Sequence, residues 1–459
     1  MESLTKKEEA ELPHISHGFL KRIHEHWGWV VTIGVSVVWF LIIGSHYVYA
    51  LTFISLQNDF DASATLIGLI GSVYLSLGCC LSPVTSWLQR HYSHRTISIL
   101  AILITTVSYV VSSFMQSLVI LVFTFGVLSG IAYNFVYTSL HHILVCYFPS
   151  KRCRAPIAIA NVGPTIAMLC LSPIIEKLLS LYGWRWTLRI QGLVICVFGL
   201  LACTVFKKPP VWKKSEKQEE KKSHGHSGYL TAVLKLPETW IFSLATFLTG
   251  VASTFLYVYI GSYIVSKGLT EEQSSLGMTA CGCGSLVACF IGAVVIDRTS
   301  FPTIYLLPVL SVLTSLTFII LIWVHTLVPV ITMCIVVGLL RTGYNILILP
   351  PAVELLGTAR ALEAGTLSIS SLGAGYIVGS YISGKMFDAF GSYDIALYIC
   401  SGIYLAAAML ALMAPIYQRI FARDRYMVDR KFTDLQNTEN LQVPNVQYEY
   451  LLIERESVI

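Results

Sequence analysis

The sequence predicts an all-α membrane protein of twelve transmembrane helices, and three observations carry that prediction. Hydrophobic residues make up 55% of the 459 and charged residues only 12%, where a soluble domain carries roughly 25% charged. Mean hydropathy is +0.69. Apolar runs of about 20 residues recur along nearly the whole chain, each long enough to cross a bilayer as a helix. Barrel strands would instead show as ~10-residue alternating segments, and the sequence has none of these.

The elements follow in order. Residues 1–26 form a polar N-terminal tail with Lys6, Lys7, Glu8, Glu9, Glu11, Lys21 and Arg22 and no early apolar core, so no cleavable signal peptide is read there. The first six spans are read at 28–51, 65–87, 96–115, 118–143, 156–176 and 187–206, giving a first unit over 27–206. A segment at 207–238 then breaks the apolar rhythm. It mixes Lys207, Lys208, Lys213, Lys214, Lys217, Lys221, Lys222 and Lys235 with Glu216, Glu219 and Glu220, the pattern of a solvated linker. Six more spans follow at 239–262, 275–296, 303–324, 327–350, 363–384 and 394–416, giving a second unit over 239–417 before a polar tail at 418–459. Gly126 and Gly130 in the fourth span, and Gly373, Gly375 and Gly379 in the eleventh, are expected to let helix backbones approach closely.

Charge sets the orientation. With the N-terminus inside, 25 of the 31 Lys and Arg fall in inner loops and tails, while Lys177, Arg185, Lys267 and Lys385 fall outside and Arg189 and Arg341 fall within spans. This asymmetry predicts that both termini are cytosolic. It reads the net charge of +5 as a topology signal rather than a nucleic-acid footprint. Nearly all of the twelve cysteines sit inside apolar runs, as Cys79, Cys80, Cys196, Cys281, Cys283 and Cys334 do, so they are read as small buried hydrophobes. Cys281-Gly-Cys283 lacks a second ligand pair, and no metal site or cofactor is expected. No P-loop, nucleophile elbow or metal-ligand cluster on a loop is present, which excludes the common enzyme and ATP-driven pump signatures.

Six spans plus six around a polar connection is the layout of the major facilitator fold, in which two halves rock about a midplane site. Local patterns narrow the resemblance. Trp27-Gly28-Trp29 precedes the first span. Tyr147-Phe148, Lys151-Arg152 and Ala155 follow the fourth, and Tyr182-Gly183-Trp184-Arg185 precedes the sixth. Asp297-Arg298 follows the eighth, while Gly384-Lys385-Met386-Phe387-Asp388 and Gly391-Ser392-Tyr393-Asp394 follow the eleventh. In this order and at these helix ends they resemble the monocarboxylate transporter family. Lys151, Arg152, Asp297, Arg298 and Asp388 are expected to belong to its conformational gating motifs. The same residues also have structural readings as interfacial indoles and positive-inside charges.

The resemblance implies that spans one, four, seven and ten line a central cavity. It also implies a lysine in the first span and an Asp/Arg pair in the eighth of proton-linked members. Here those places are Tyr47, Gly284 and Ala288, and the opening D-G-G is His24-Glu25-His26. Lactate–proton symport therefore does not carry over. Polar candidates facing the cavity include Ser45, His46, Tyr47 and Tyr49, then Asn134, Tyr137, Thr138 and His141, then Ser253 and Tyr257. Tyr47, Asn134, Thr138 and Tyr257 are taken as substrate-binding candidates. His46 is taken as the proton-coupling candidate, because imidazole titrates near physiological pH.

Arg341 stands out. Within a span read at 327–350 it lies roughly 20 Å from one end and 14 Å from the other, too deep to reach water easily. An arginine at mid-helix raises the free energy by about 2.5–3.5 kcal/mol on insertion scales, and no span interior supplies an acid to neutralise it. A guanidinium facing a wet cavity would match a carboxylate in bidentate fashion. Asn345, four residues on, shares its face. The structural alternative is a bond to helix-end carbonyls or to Glu354.

The expected function is therefore a carrier of a small organic anion or carboxylate-bearing zwitterion, working by alternating access in the plasma membrane. The rivals are a carrier of neutral or aromatic solutes with Arg341 structural, and a non-transporting sensor on a carrier scaffold. The ending Glu456-Ser457-Val458-Ile459 fits a peptide added as a strand to a PDZ domain, with contacts at Ser457 to Ile459, and Tyr448-Glu449-Tyr450-Leu451 fits an endocytic signal. The resemblance also admits a single-span accessory glycoprotein as partner, besides the solute and the lipid bilayer.

Overall fold

A computed structural model describes residues 14–47, 49–148, 154–207, 236–298, 303–348, 351 and 361–421. Lys151, Arg152, Glu354, most of the linker and the tail with Ser457–Ile459 lie outside the described residues, as do the side chains of Asp297 and Arg298.

The described residues form helices joined by short turns. Helix α1 comprises His14–Tyr47 and Tyr49–Phe60. Helix α2 comprises Ala64–Cys80 and Ser82–His91, and α3 is His94–Ser112. Helix α4 runs through Leu118–Leu121, a π-helical turn at Val122–Leu128, and Ser129–Tyr147. Arg154–Cys203 is two helices, α5 and α6, meeting at Gly183, whose φ of 72° an L side chain rarely adopts. Helix α7 comprises Pro237–Thr254, a π-helical turn at Phe255–Tyr259, and Ile260–Ser266. Helices α8 (Glu271–Arg298), α9 (Leu306–Ile322), α10 (Leu327–Leu347), α11 (Ala361–Phe390) and α12 (Asp394–Phe421) complete the bundle. Each of the twelve expected spans is helical over most of its described residues, and the largest overruns past the last expected residue are α1 to Phe60, α5 up to Gly183 and α11 to Phe390.

The packing repeats at an interval of six helices. Helix α3 packs on α4 and α6 and α2 on α4, as α9 packs on α10 and α12 and α8 on α10. Helix α1 lies along the α5–α6 unit, as α7 lies along α11 and α12. Between these two sets, α2 crosses α11 and α5 crosses α8, contacts that are each other's equivalents under the same interval. The outer surface is apolar, and the largely hydrophobic interior also holds small polar side chains. Ile33, Leu193, Val328 and Met409 are exposed, while Ser108, Ser129, Ser315 and Ser401 are buried and bond to one another in pairs across helices. Many buried hydroxyls close on the carbonyl one turn back, as Thr105 does on Ala101. Such bonds satisfy polar groups that a bilayer core could not solvate.

Glycines set the closest approaches, as expected. A Cβ on Gly130 would meet Leu77 Cβ at 2.9 Å and Tyr74 O at 3.0 Å, and one on Gly375 would meet Val251 N at 2.8 Å and Gly250 Cα at 3.0 Å. No disulfide joins the cysteines among the described residues. Most are buried or half-buried, whereas Cys170 and Cys283 are exposed.

Several family-like markers turn out to be joints. Trp184 Nε1 and Arg185 Nη1 both donate to Asp59 Oδ2, at 2.9 Å and 3.0 Å, tying the end of α1 to the start of α6. Lys267 pairs with Asp394 at 2.9 Å, tying the α7–α8 turn to α12. Asp388 at the end of α11 accepts from Ala64 N (2.8 Å), Thr65 N (3.2 Å) and Thr65 Oγ1, and so caps α2 across the two sets of helices. Beside it, Tyr259 OH donates to Ser380 O at 2.9 Å. These contacts join the two sets of helices where α11 ends and α2 begins. Asp388→Ala removes a partly exposed cap of about 1 kcal/mol. It should therefore raise thiol-probe labelling of a cysteine introduced at Ser380 about fivefold, read by peptide mass spectrometry.

Candidate functional site

The centre of the bundle holds a cation between aromatic rings. Helix α10 carries Arg341 inward, and the side chain is 5% exposed. Its Cζ lies 4.5 Å from the ring centroid of Tyr47 on α1 and 5.0 Å from that of Tyr257 on α7. The two rings are themselves 5.9 Å apart. Nη2 donates to Met168 Sδ on α5 at 3.0 Å, a weak acceptor, and Nε has no hydrogen-bond partner. The ion pairs Arg185–Asp59 and Lys267–Asp394 lie elsewhere, and among the described residues no carboxylate pairs with Arg341. Cation–π contact is worth about 0.5–2 kcal/mol. It offsets part of the insertion penalty but leaves most of the five N–H donors unmatched.

Asn345, one turn along α10, donates from Nδ2 to Tyr257 OH at 3.0 Å. Tyr376 of α11 stands edge-on to Tyr257 with centroids 5.8 Å apart. Arg341, Asn345, Tyr47 and Tyr257 are therefore one constellation drawn from α1, α7 and α10. The π-helical turn of α7 helps build it. An extra residue in the turn shifts the side-chain register, and Tyr257 and Tyr259 are both buried there.

The α4 candidates separate from this group. Helix α2 breaks by 45° near Leu81, because Pro83 cannot donate to the preceding turn. Ser82 Oγ takes over by donating to Cys79 O at 2.8 Å. Asn134, 0% exposed, donates from Nδ2 to Gly78 O at 2.7 Å and to Ser82 Oγ at 3.2 Å, and its Oδ1 accepts from Thr85 Oγ1. Thr138 Oγ1 reaches Ser82 Oγ at 3.4 Å. Asn134, expected at the substrate, thus has its amide taken up in bracing the α2 break, and Thr138 leans on the same hydroxyl. Asn134→Leu takes the partner from the Gly78 carbonyl and the Ser82 and Thr85 hydroxyls, and each buried polar group left unsatisfied costs about 1–3 kcal/mol. It should lower the midpoint of thermal unfolding while leaving the choice among solutes unchanged, as read by thermal size-exclusion and a competition panel.

His46, 1% exposed, is stacked on Tyr74 with centroids 4.1 Å apart and lies 5.9 Å from Tyr49. Neither ring nitrogen has a partner. It immediately precedes Tyr47 on α1, so the two side chains leave the helix on different faces. The places of the family's eighth-span pair are occupied by packing residues: Gly284 lies against the α10 backbone at Ile335, and Ala288 is buried.

The sequence matches the description of the Major Facilitator Superfamily over residues 35–361. It is 24% identical to monocarboxylate transporter 11 of Homo sapiens, covering 85% of this chain and 83% of that protein. It is 24% identical to monocarboxylate transporter 2 of Rattus norvegicus, covering 87% and 85%, and 25% identical to monocarboxylate transporter 10 of Rattus norvegicus, covering 86% and 79%. The fold is similar to the crystal structure of a POT family transporter in complex with 5-aminolevulinic acid, with a TM-score of 0.65, 13% identity, and coverage of 83% and 95%. The chain is a multi-pass membrane transporter and belongs to the major facilitator superfamily.

Proposed function

We propose that the protein carries a small organic anion or zwitterion whose carboxylate is held by Arg341. The observation that carries this reading is the buried guanidinium with no carboxylate partner among the described residues. A cargo carboxylate supplies the missing acceptors in the bidentate geometry that guanidinium favours. Tyr47 and Tyr257 flank the carbon skeleton, and Asn345 bonds the second polar group of the cargo. Proteins of similar sequence being monocarboxylate transporters supports the same class. The two sets of six helices rock about this centre, with Asp388 as a latch at one end. Residence in the plasma membrane with both termini cytosolic completes the reading.

The neutral-solute alternative has one observation in its favour: the contacts of Arg341 with Tyr47, Tyr257 and Met168 hold the cation without a ligand. A competition panel in proteoliposomes separates the two. Each carboxylate should inhibit uptake at least about 10-fold more strongly than its amide, the equivalent of one charge-assisted hydrogen bond of about 1.5–3 kcal/mol. Equal inhibition by acid and amide removes the anion reading. Comparing the same panel with and without a pH gradient tests His46, since His46→Phe keeps the ring stack and deletes the proton site.

A further inference from the structure

At the opposite end of the bundle from the Asp388 latch, three metal-ligating side chains that solute binding does not use come together. His94 opens α3, while His142 and Cys146 lie one turn apart near the end of α4. Their ligand atoms all lie within 4.8 Å of one another. We propose that His94, His142 and Cys146 form a zinc site that staples α3 to α4.

The distances fit a shared metal, with His94 Nε2 and Cys146 Sγ no more than 4.8 Å apart. His94 Nε2 and His142 Nδ1 are 3.4 Å apart, and Cys146 Sγ is 3.8 Å from His142 Nδ1. A tetrahedral Zn²⁺ bound at 2.0–2.1 Å from nitrogen and 2.3 Å from sulfur spaces its ligands about 3.3–3.4 Å (N–N) and about 3.6 Å (N–S) apart. The His–His separation matches the first of these and exceeds the ~3.0 Å of an ordinary N–H hydrogen bond. The orientation is prepared as well. His94 Nδ1 lies 3.3 Å from Ser139 Oγ. A proton held there toward the hydroxyl leaves the Nε2 lone pair for the metal, the usual arrangement around a ligating imidazole. His142 and Cys146 share one face of α4 through their spacing of four. The donor set of two imidazoles and a thiolate suits Zn²⁺ with one open position for water or a soluble thiol. His94 is buried, while His142 and Cys146 are half-exposed, which gives a path of entry. The site lies at the same end as the start of α1, where the Trp29 and Phe148 rings are 5.3 Å apart, and the charge asymmetry assigns that end to the cytosol.

The test uses the purified full-length transporter in detergent, stripped with a chelator and then dialysed against Zn²⁺. Elemental analysis should give one zinc per chain. Cys146→Ser should weaken binding by more than about 100-fold and Ser139→Ala by about 10-fold, whereas Cys283→Ser should leave it unchanged. Co²⁺ in place of zinc should show a thiolate charge-transfer band that Cys146→Ser abolishes. A second measurement needs no variant: zinc should protect Cys146 of the natural chain from maleimide, read by peptide mass spectrometry. Zinc retained equally by Cys146→Ser, no zinc retained at all, or maleimide labelling of Cys146 indifferent to zinc each overturns the proposal.

Discussion

Arg341→Ala should reduce carboxylate uptake in proteoliposomes by about 10- to 100-fold, the loss expected for one or two charge-assisted hydrogen bonds of about 1.5–3 kcal/mol. The fold should survive. The guanidinium makes no ion pair among the described residues, so its removal strands no buried acid there. The variant gives up only its packing against two ring faces and one sulfur. Arg341→Lys should recover only part of the uptake, because an ammonium keeps the charge but not the planar fork. Counterflow of a labelled carboxylate, normalised to monodisperse protein, is the measurement. Unchanged counterflow in Arg341→Ala would falsify the assignment and leave a carrier whose cargo is held by the tyrosines alone.

Gly375→Leu should collapse the yield of folded protein, with a destabilisation of about 3 kcal/mol or more. At this glycine α11 meets α7 backbone to backbone. A side chain there would run into Phe247 O, Val251 N and Gly250 Cα, none of which has a rotamer that lets it yield. Separating the helices would also pull Thr254 Oγ1 from Tyr376 O, now 3.1 Å apart, and displace Tyr376 from Tyr257. The damage would therefore reach the candidate site through packing alone. Gly402→Leu on α12 is the control, since nothing lies within 4 Å of the space its Cβ would enter. The thermal midpoints of the two variants in one detergent should differ by many degrees, and equal midpoints would show that α7 and α11 can part without loss.

Tyr47, which the resemblance sets at the place of a lysine in proton-linked members, has the Arg341 guanidinium of α10 beside it, with Cζ 4.5 Å from its ring. The deep arginine was legible in the sequence because a charge in an apolar run is anomalous wherever the helix packs. That it faces Tyr47 could not be read, since eight helices of chain lie between the first span and the tenth. Asn134 shows the opposite case. Its polarity and its spacing from Thr138 suggested a cavity lining, but its partners are on a break in α2 that only Ser82-Pro83 hints at. The His94, His142 and Cys146 group escaped notice for a similar reason. His142 and Cys146 have helical spacing, while His94 arrives from another helix.

By itself the sequence determined the all-helical membrane fold of two six-helix halves and the presence of a deep cation. Hydropathy acts over one helix length, and a charge inside a span is conspicuous without any knowledge of its neighbours. The tertiary structure alone decided which polar groups meet. It joined Arg341 to Tyr47, Tyr257 and Asn345, gave Asn134 to the α2 break, and set Asp388 over the start of α2. The physical reason is that buried polar groups are satisfied by whatever helix packs against them, and that neighbour is fixed by glycine contacts and ring shapes spread over the whole chain.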